Sequence, residues 1–445
     1  MQNQNQIVLT EKQFAAVDAI KQFIDSDKLF FCLKGYAGTG KTTVINHVIA
    51  HCNNDALKIT VTAPTNKAVN VIRQMQHKAG LHFDTMTIHQ YLGVKQVLKY
   101  DKEGHVMTQE FEAVHGTRPN TAHVVIVDEA SMIDKRLMKL ITQQADFSST
   151  KFIFIGDEAQ LPPIGEEKSE SFDQGDSVTL DEVVRTANDN PIIKYLTIIR
   201  NNLNKPTMPF SRTNNVNELG GVYFYKEKVQ FLRAISKAFL NAAKNDALRS
   251  IKCLAWSNNR VKNINNYVRS VLYPDVEEEL VIGEFMIANS PIKISFDDGV
   301  STKQITAVQN SEEFIIKNFT KKMFDDKYAG FNVTAQMLSD GRTEYFNILS
   351  AEGLKAHKRY LKALKETAIV DKDREKWKKY YAEKERFADV QYGYAMTVHK
   401  SQGSTYSEVF IHEIDIELNK RIVERNQCRY VAYSRASKVV HVYNA

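Results

Sequence analysis

The chain has 445 residues, of which 43% are hydrophobic, 25% charged and 10% aromatic. At roughly 100 to 200 residues per domain this argues for two to four domains, and it excludes collagen-like, disulfide-scaffold and disordered classes. The formal net charge is only +6, but residues 351–388 carry twelve Lys/Arg against seven Asp/Glu, a concentrated surplus that admits a polyanionic partner. Cys32, Cys52, Cys253 and Cys428 are scattered, with no CxxC pair and no zinc-ligand spacing, so they read as small buried hydrophobes. No apolar run reaches the ~20 residues of a membrane span, and the polar start Met1 to Gln6 lacks a signal-peptide pattern. The expectation is a soluble, cytoplasmic protein with no membrane partner.

In chain order, Thr10-x-x-Gln13 reads as a capping box opening a helix that carries Phe14, Val17, Ile20 and Ile24. A strand over Leu29 to Leu33 then runs into Gly35-Tyr36-Ala37-Gly38-Thr39-Gly40-Lys41-Thr42, the phosphate-loop pattern G-x-x-x-x-G-K-[ST]. Ile45, Val48, Ile49 and Cys52 supply the amphipathic helix whose amino end faces the anion. Gly35, Gly38, Thr39, Gly40, Lys41, Thr42 and Thr43 are therefore the nucleotide-binding candidates. Backbone N–H groups approach the phosphates, Lys41 reaches the β and γ groups, and the Thr42 hydroxyl is a ligand for Mg²⁺.

Ile59 to Thr62 is the next strand. Val97 to Tyr100 and His105 to Thr108 flank the turn sequence Asp101-Lys102-Glu103-Gly104 and predict a short hairpin. Val124 to Val127 delivers Asp128 and Glu129 at its end, so that one carboxylate can hold the metal and the other polarise the attacking water; the bland alternative is an exposed acidic turn. Phe152 to Ile155 leads into Gly156-Asp157-Glu158-Ala159-Gln160-Leu161-Pro162-Pro163, where Gln160 is placed to touch the γ-phosphate or its water.

After Val183 the strand pattern restarts with Ile251 to Ala255, Val409 to Ile411 and Val439 to Val442, without a second phosphate loop. Between Ile282 and Leu349 the texture is β, with Asn332 to Leu338 and Thr343 to Leu349 flanking a Ser339-Asp340-Gly341-Arg342 turn. Leu354 to Ala388 reads as two charged helices interrupted around Ile369 to Asp371. Trp377, Tyr380, Tyr381 and Lys384 share a face there, either for a partner or for packing on the β insert.

Seven blocks, GYAGTGKT, APTNKA (Ala63 to Ala68), TIH (Thr87 to His89), DEAS (Asp128 to Ser131), GDEAQLPP, VHKSQGST (Val398 to Thr405) and YVAYSRA (Tyr430 to Ala436), together resemble superfamily 1 helicases of the RecD/Pif1/Dda-like branch. The resemblance implies an α/β fold of two RecA-like parallel-sheet cores, with an inserted β-hairpin (1B) and an inserted small SH3-like β-barrel plus helical extension (2B). The implied boundaries are 1–183 for core 1A with its hairpin at 90–112, 184–281 and 389–445 for core 2A, and 282–388 for 2B.

It further implies catalytic roles for Lys41, Asp128, Glu129, Gln160, Arg185 and Arg435, the last as an arginine finger, with Thr42 and Asp128 as metal ligands. Gln13 becomes an adenine reader, beside its capping role, and Gly403 joins the nucleotide site. Pro64, Thr65, Asn66, Lys67, His89, Thr397, His399, Lys400 and Ser401 would contact single-stranded DNA, and Val106 and Met107 would wedge under a base pair, unless the hairpin is an ordinary surface one. Tyr36 departs from a frequent proline, and Tyr360 to Phe387 has no residue-level counterpart.

The implied activity is an ATP- and Mg²⁺-dependent DNA helicase moving 5′ to 3′, with a DNA fork and replication, recombination or single-strand-binding proteins as partners. Rival readings are a DNA-stimulated ATPase that displaces proteins, and a nucleic-acid clamp with a dead nucleotide site.

Overall fold

The strands Phe30–Gly35, Ile59–Ala63, Val124–Val127 and Lys151–Gly156 are buried almost throughout, as β-branched and aromatic runs must be when a sheet is covered on both faces. In the computed structural model, which describes residues 9–100, 106–113, 120–182, 190–297, 302–371 and 373–444, they form the centre of a six-stranded sheet. Its order is Asp84–Thr87, Ile59–Ala63, Val124–Val127, Lys151–Gly156, Phe30–Gly35, Asp176–Leu180, and every pairing is parallel. The two edge strands are short and mostly polar, and Asp176–Leu180 is largely exposed, which is why apolar patterning does not mark them. The helices Glu11–Asp25, Lys41–Asn54 and Asn66–Ala79 press Ile20, Val48 and Val69 onto Leu33, Val61 and Ile126.

One residue departs from the expected face of the first helix. Phe14 is 66% exposed, and Gln13, Ala16, Val17, Ile20, Phe23 and Ile24 are buried instead. The helix turns its capping glutamine inward at its first turn, and Phe14 rotates outward.

Contacts group the chain into two units: Met1–Lys95, Glu112–Phe231 and Ser401–Ala445 in one, Gln96–Phe111 and Leu232–Lys400 in the other. The first unit also holds part of a second parallel sheet, in which Ala436–Tyr443 pairs with Tyr406–His412 and with Gly220–Tyr225. Asn215–Asn217 adds an antiparallel edge strand. The helix Ile422–Ser434 packs on these strands and ends at Arg435.

In the second unit Ile251–Ala255 pairs in parallel with Ala395–Thr397. The β insert is a five-stranded antiparallel sheet in the order Thr343–Leu349, Tyr328–Met337, Glu313–Phe324, Phe285–Ala288, Val390–Tyr392, closed on a core of Phe314, Phe331, Val333 and Met337. The helices Ala351–Asp371 and Arg374–Lys384 follow, the second capped by Asp373. Trp377 is buried and stacks on Tyr381, while Phe387 packs on Phe324 and Tyr328 of the sheet, so these aromatics serve packing. The expected hairpin is present and longer than predicted, with strands Val94–Tyr100 and Val106–Ala113. Its turn, and the side chains of Val106 and Met107, lie outside the described residues. No helix among the described residues is long and apolar enough to cross a membrane.

His357 anchors the first charged helix between the rings of Tyr328 and Phe387 and bonds Glu383 through Nε2 at 3.1 Å. Burial lowers its pKa from 6.5, against the pull of Glu383. A lowered pKa means the fold favours neutral histidine, so this contribution is whole above the unfolded value and is lost as pH falls through the folded one. Thermal midpoints taken from about pH 8 to about pH 5 are expected to fall less steeply in His357→Gln than in the wild type; identical slopes would remove His357 as the titrating group.

Candidate nucleotide site

The phosphate loop leaves the carboxyl end of the strand Phe30–Gly35, where open parallel sheets place ligands. Gly38 and Gly40 take φ of 86° and 78°, a region that only glycine enters without strain. Thr39 folds inward, its Oγ1 donating to the Tyr36 carbonyl at 3.0 Å. Lys41 Nζ donates to the carbonyls of Gly35 and Tyr36, each at 2.8 Å. Burial lowers the Lys41 pKa, opposed by Asp157, Glu129 and Asp128.

Asp128 and Glu129 follow the buried strand Val124–Val127. Asp128 Oδ1 accepts from the Glu129 backbone N–H at 2.9 Å, and Glu129 itself sits at φ 53°. This is a left-handed conformation that costs a non-glycine residue ~1–3 kcal/mol. Burial raises both carboxyl pKa values; Asp128 pushes Glu129 further up, while Arg435 and Lys41 pull it back.

A cavity of about 510 Å³ is lined by Gly38, Gly40, Lys41, Thr42, Thr43, Asp128, Glu129, Gln160, Gly403 and Arg435, with Gln13 at its rim. Arg435 is 6% exposed; its NH1 donates to the Ser404 carbonyl at 3.2 Å and its Nε to Val431 at 3.2 Å. Gln160 Oε1 is buried without a hydrogen-bond partner, and a buried polar atom of that kind calls for a ligand or water. The donor set suits a magnesium triphosphate: one hydroxyl and one carboxylate for a metal that keeps most of its shell on water and phosphate, with Lys41 and Arg435 among the lining residues.

Gln13 holds the capping box expected of it, and its Nε2 also donates to the Thr39 carbonyl at 3.1 Å. A Cβ at Gly40 would lie 2.1 Å from that nitrogen. Helix cap and phosphate loop are thus fixed by one amide.

The DNA-contact candidates fall in both units. Thr65 caps the helix Asn66–Ala79, and Lys67 Nζ donates to Tyr406 Oη at 3.3 Å. His89 lies in the short helix Ile88–Tyr91 behind the Thr87 cap, and burial lowers its pKa. Pro64 and Asn66 flank Thr65, and Ser401 is buried in the first unit. Thr397, His399 and Lys400 belong to the second unit, where Lys400 Nζ donates to Asn289 at 3.1 Å. Arg185 lies outside the described residues.

Three residues near the site carried no assignment in the sequence reading. Asp157 is fully buried, pairs with Arg200 at 2.8 Å and accepts from Tyr430 Oη at 2.5 Å, while the Arg200 guanidinium lies 3.3 Å from the centre of the Tyr36 ring. The signal for two of them was present, since Asp157 and Tyr430 sit inside motif blocks; Arg200 had none.

A phosphate loop on an all-parallel sheet, two carboxylates at the neighbouring strand end and an arginine across the cavity define a P-loop nucleoside triphosphatase. The AAA domain family model matches residues 8–215, and the UvrD-like helicase C-terminal domain matches 392–443. The chain is 25% identical to the ATP-dependent DNA helicase dda of Enterobacteria phage T4, over 93% of this chain and 96% of that protein. It is also 25% identical to the RecBCD enzyme subunit RecD of Buchnera aphidicola subsp. Acyrthosiphon pisum, over 92% of this chain and 69% of that one. Among solved structures, the Bacteroides Pif1 helicase in complex with ADP-AlF3 and ssDNA superposes with a TM-score of 0.49 at 16% identity, covering 98% of this chain and 92% of that one. The similarities thus run to an AAA domain, a UvrD-like helicase C-terminal domain, the dda helicase and RecD.

Gly40→Ala forces a side chain into both a left-handed backbone and the Gln13 amide. Strain of ~1–3 kcal/mol set against binding is expected to weaken a fluorescent ADP analogue roughly tenfold or more, and an unchanged affinity would show that the loop is not held as described.

Proposed function

We propose that this chain is an ATP-dependent DNA helicase that moves 5′ to 3′ along single-stranded DNA and opens duplexes, in a phage-type replication or recombination setting. The observation that carries the reading is the single cavity that gathers Lys41, Thr42, Asp128, Glu129, Gln160 and Arg435. A binding clamp has no need of a carboxylate pair with raised pKa values facing two cations. The division into cores 1A and 2A with insertions 1B and 2B is part of the same proposal, as are a cytoplasmic location and single-strand-binding, replication or recombination proteins as partners.

In this reading Lys41 exchanges its bonds to the Gly35 and Tyr36 carbonyls for the β and γ oxygens of ATP. Thr42 and Asp128 would hold Mg²⁺, which when bound neutralises charge on the phosphates. Glu129 orients the attacking water and accepts its proton, Gln160 contacts the γ-phosphate or that water, and Arg435 stabilises charge as the γ group separates. Arg185 is assigned to the γ-phosphate by resemblance. Polar loops at Pro64 to Lys67 and Thr397 to Ser401, with His89, take and release the strand in turn. Val106 and Met107 are assigned to strand separation. Each base-pair step opened costs about 1.4 kcal/mol of stacking.

Glu129→Gln is expected to keep nucleotide affinity and lower kcat by ~10²–10⁴. Arg435→Ala is expected to keep affinity and lose ~10³ or more in kcat. Parallel loss of affinity in both variants would point to misfolding rather than chemistry. Partial duplexes with a 5′ tail, a 3′ tail or neither test the motor: opening confined to 5′-tailed substrate is the expected result, and opening of 3′-tailed substrate alone would reverse the polarity. Single-strand affinity should fall with log salt at about −0.7 per phosphate neutralised; a flat response would contradict backbone tracking.

A further inference from the structure

The carboxylate of Asp157 lies between Gly156 and Gln160, both of which line the nucleotide cavity, yet neither it nor its partners line that cavity. A carboxylate with no solvent exposure must be neutralised where it stands. Its Oδ1 accepts from Arg200 at 2.8 Å and from the Ala159 backbone N–H at 3.0 Å, and its Oδ2 accepts from Tyr430 Oη at 2.5 Å. Both partners reach further. Arg200, with its side chain 17% exposed, lies over the ring of Tyr36, inside the loop whose carbonyls receive Lys41. Tyr430, 1% exposed, sits on the helix Ile422–Ser434, the helix that fixes Arg435 through the Val431 carbonyl. Burial, with Asp157 adding to it, holds the Tyr430 phenol well above its ordinary pKa of 10, so it remains a donor throughout the working range.

The choice of residue types matters. A lysine in place of Arg200 would keep the ion pair and lose the guanidinium over the ring. A phenylalanine in place of Tyr430 would keep the packing and lose the bond. Tyr36 is the phosphate-loop residue that departs from the family's frequent proline, and it supplies the ring on which Arg200 lies.

We propose that Asp157, Arg200 and Tyr430 are positioning residues of the ATPase site: one buried carboxylate sets the phosphate loop through Arg200 and Tyr36, and sets the Arg435 helix through Tyr430. The relay rests on the ATPase reading above and adds to it the groups that keep Arg435 in register with Lys41.

The test compares wild type, Tyr430→Phe and Arg200→Lys, with Tyr430→Phe repeated in an Arg435→Ala background. Affinities for ADP and for ADP with aluminium fluoride are measured, together with kcat and KM for ATP on saturating single-stranded DNA. Tyr430→Phe is expected to leave ADP affinity within about twofold and to weaken the aluminium fluoride complex and kcat by roughly tenfold, the scale of one hydrogen bond to a charged group. In the Arg435→Ala background the same change should cost nothing further, because residues acting through one another are not additive. Arg200→Lys is expected to raise KM and weaken ADP more than it lowers kcat.

A Tyr430→Phe loss that is equal for ADP and the fluoride complex, or that persists undiminished without Arg435, overturns the relay and leaves a structural cluster; so does the absence of any effect. A wild type that binds nucleotide without DNA-stimulated turnover would sink the helicase reading, while the two affinities would still decide the relay.

Discussion

Removal of charge from water governs the nucleotide site. Asp128, Glu129 and Asp157 are gathered with Lys41, Arg200 and Arg435 around one cavity and its wall. A single ion left unpaired in such a place costs several kcal/mol, so the six are workable only as a balanced set of three carboxylates and three cations. The balance is uneven in its details. Asp157 is tied on both oxygens, whereas burial lowers the Lys41 pKa and raises those of Asp128 and Glu129. Asp157 is therefore committed to its own hydrogen bonds. The other three gain from a ligand that brings its own negative charge and metal, which is how desolvation prepares a phosphate site.

The backbone around this cavity accepts unusual conformations at Gly38, Gly40, Glu129 and Gly403. Three are glycines and cost little. Glu129 is the exception, and the strain it stores is sustained by the buried strand Val124–Val127 before it and the turn Ala130–Met132 after it. Both carboxylates line the cavity, unlike the exposed acidic turn that was the bland alternative.

Much of this was legible in the sequence because it is local. The phosphate loop, its strand and its helix lie within about two dozen residues, and Asp128 and Glu129 follow directly on an apolar run, so periodicity and spacing suffice. The edge strands Asp84–Thr87 and Asp176–Leu180 were missed because a short, mostly polar edge has no apolar alternation to read. Phe14 was misplaced because Gln13 occupies the inward position at the helix start. Arg200 was illegible for a different reason. Its meaning depends on Tyr36, Asp157 and Tyr430, which lie on three other segments, and no local pattern announces a pairing made only in three dimensions.

One short segment joins the nucleotide cavity to Lys67. Between Ser401 and Tyr406 the chain makes four contacts in succession. Gln402 Nε2 donates to the Leu161 carbonyl, in the loop that carries Gln160. Gly403 takes φ 71° beside Ala68 and Glu129, the Ser404 carbonyl receives Arg435, and Tyr406 receives Lys67 and presents its ring to the same ammonium at 5.8 Å. Coupling between distant sites ordinarily demands a demonstrated two-state element between them. Here the segment that meets the Leu161 loop and Arg435 also meets Lys67 at its far end. Gly403 suits the left-handed φ of 71° that the segment takes there, and Tyr406 meets the Lys67 ammonium with both its hydroxyl and its ring.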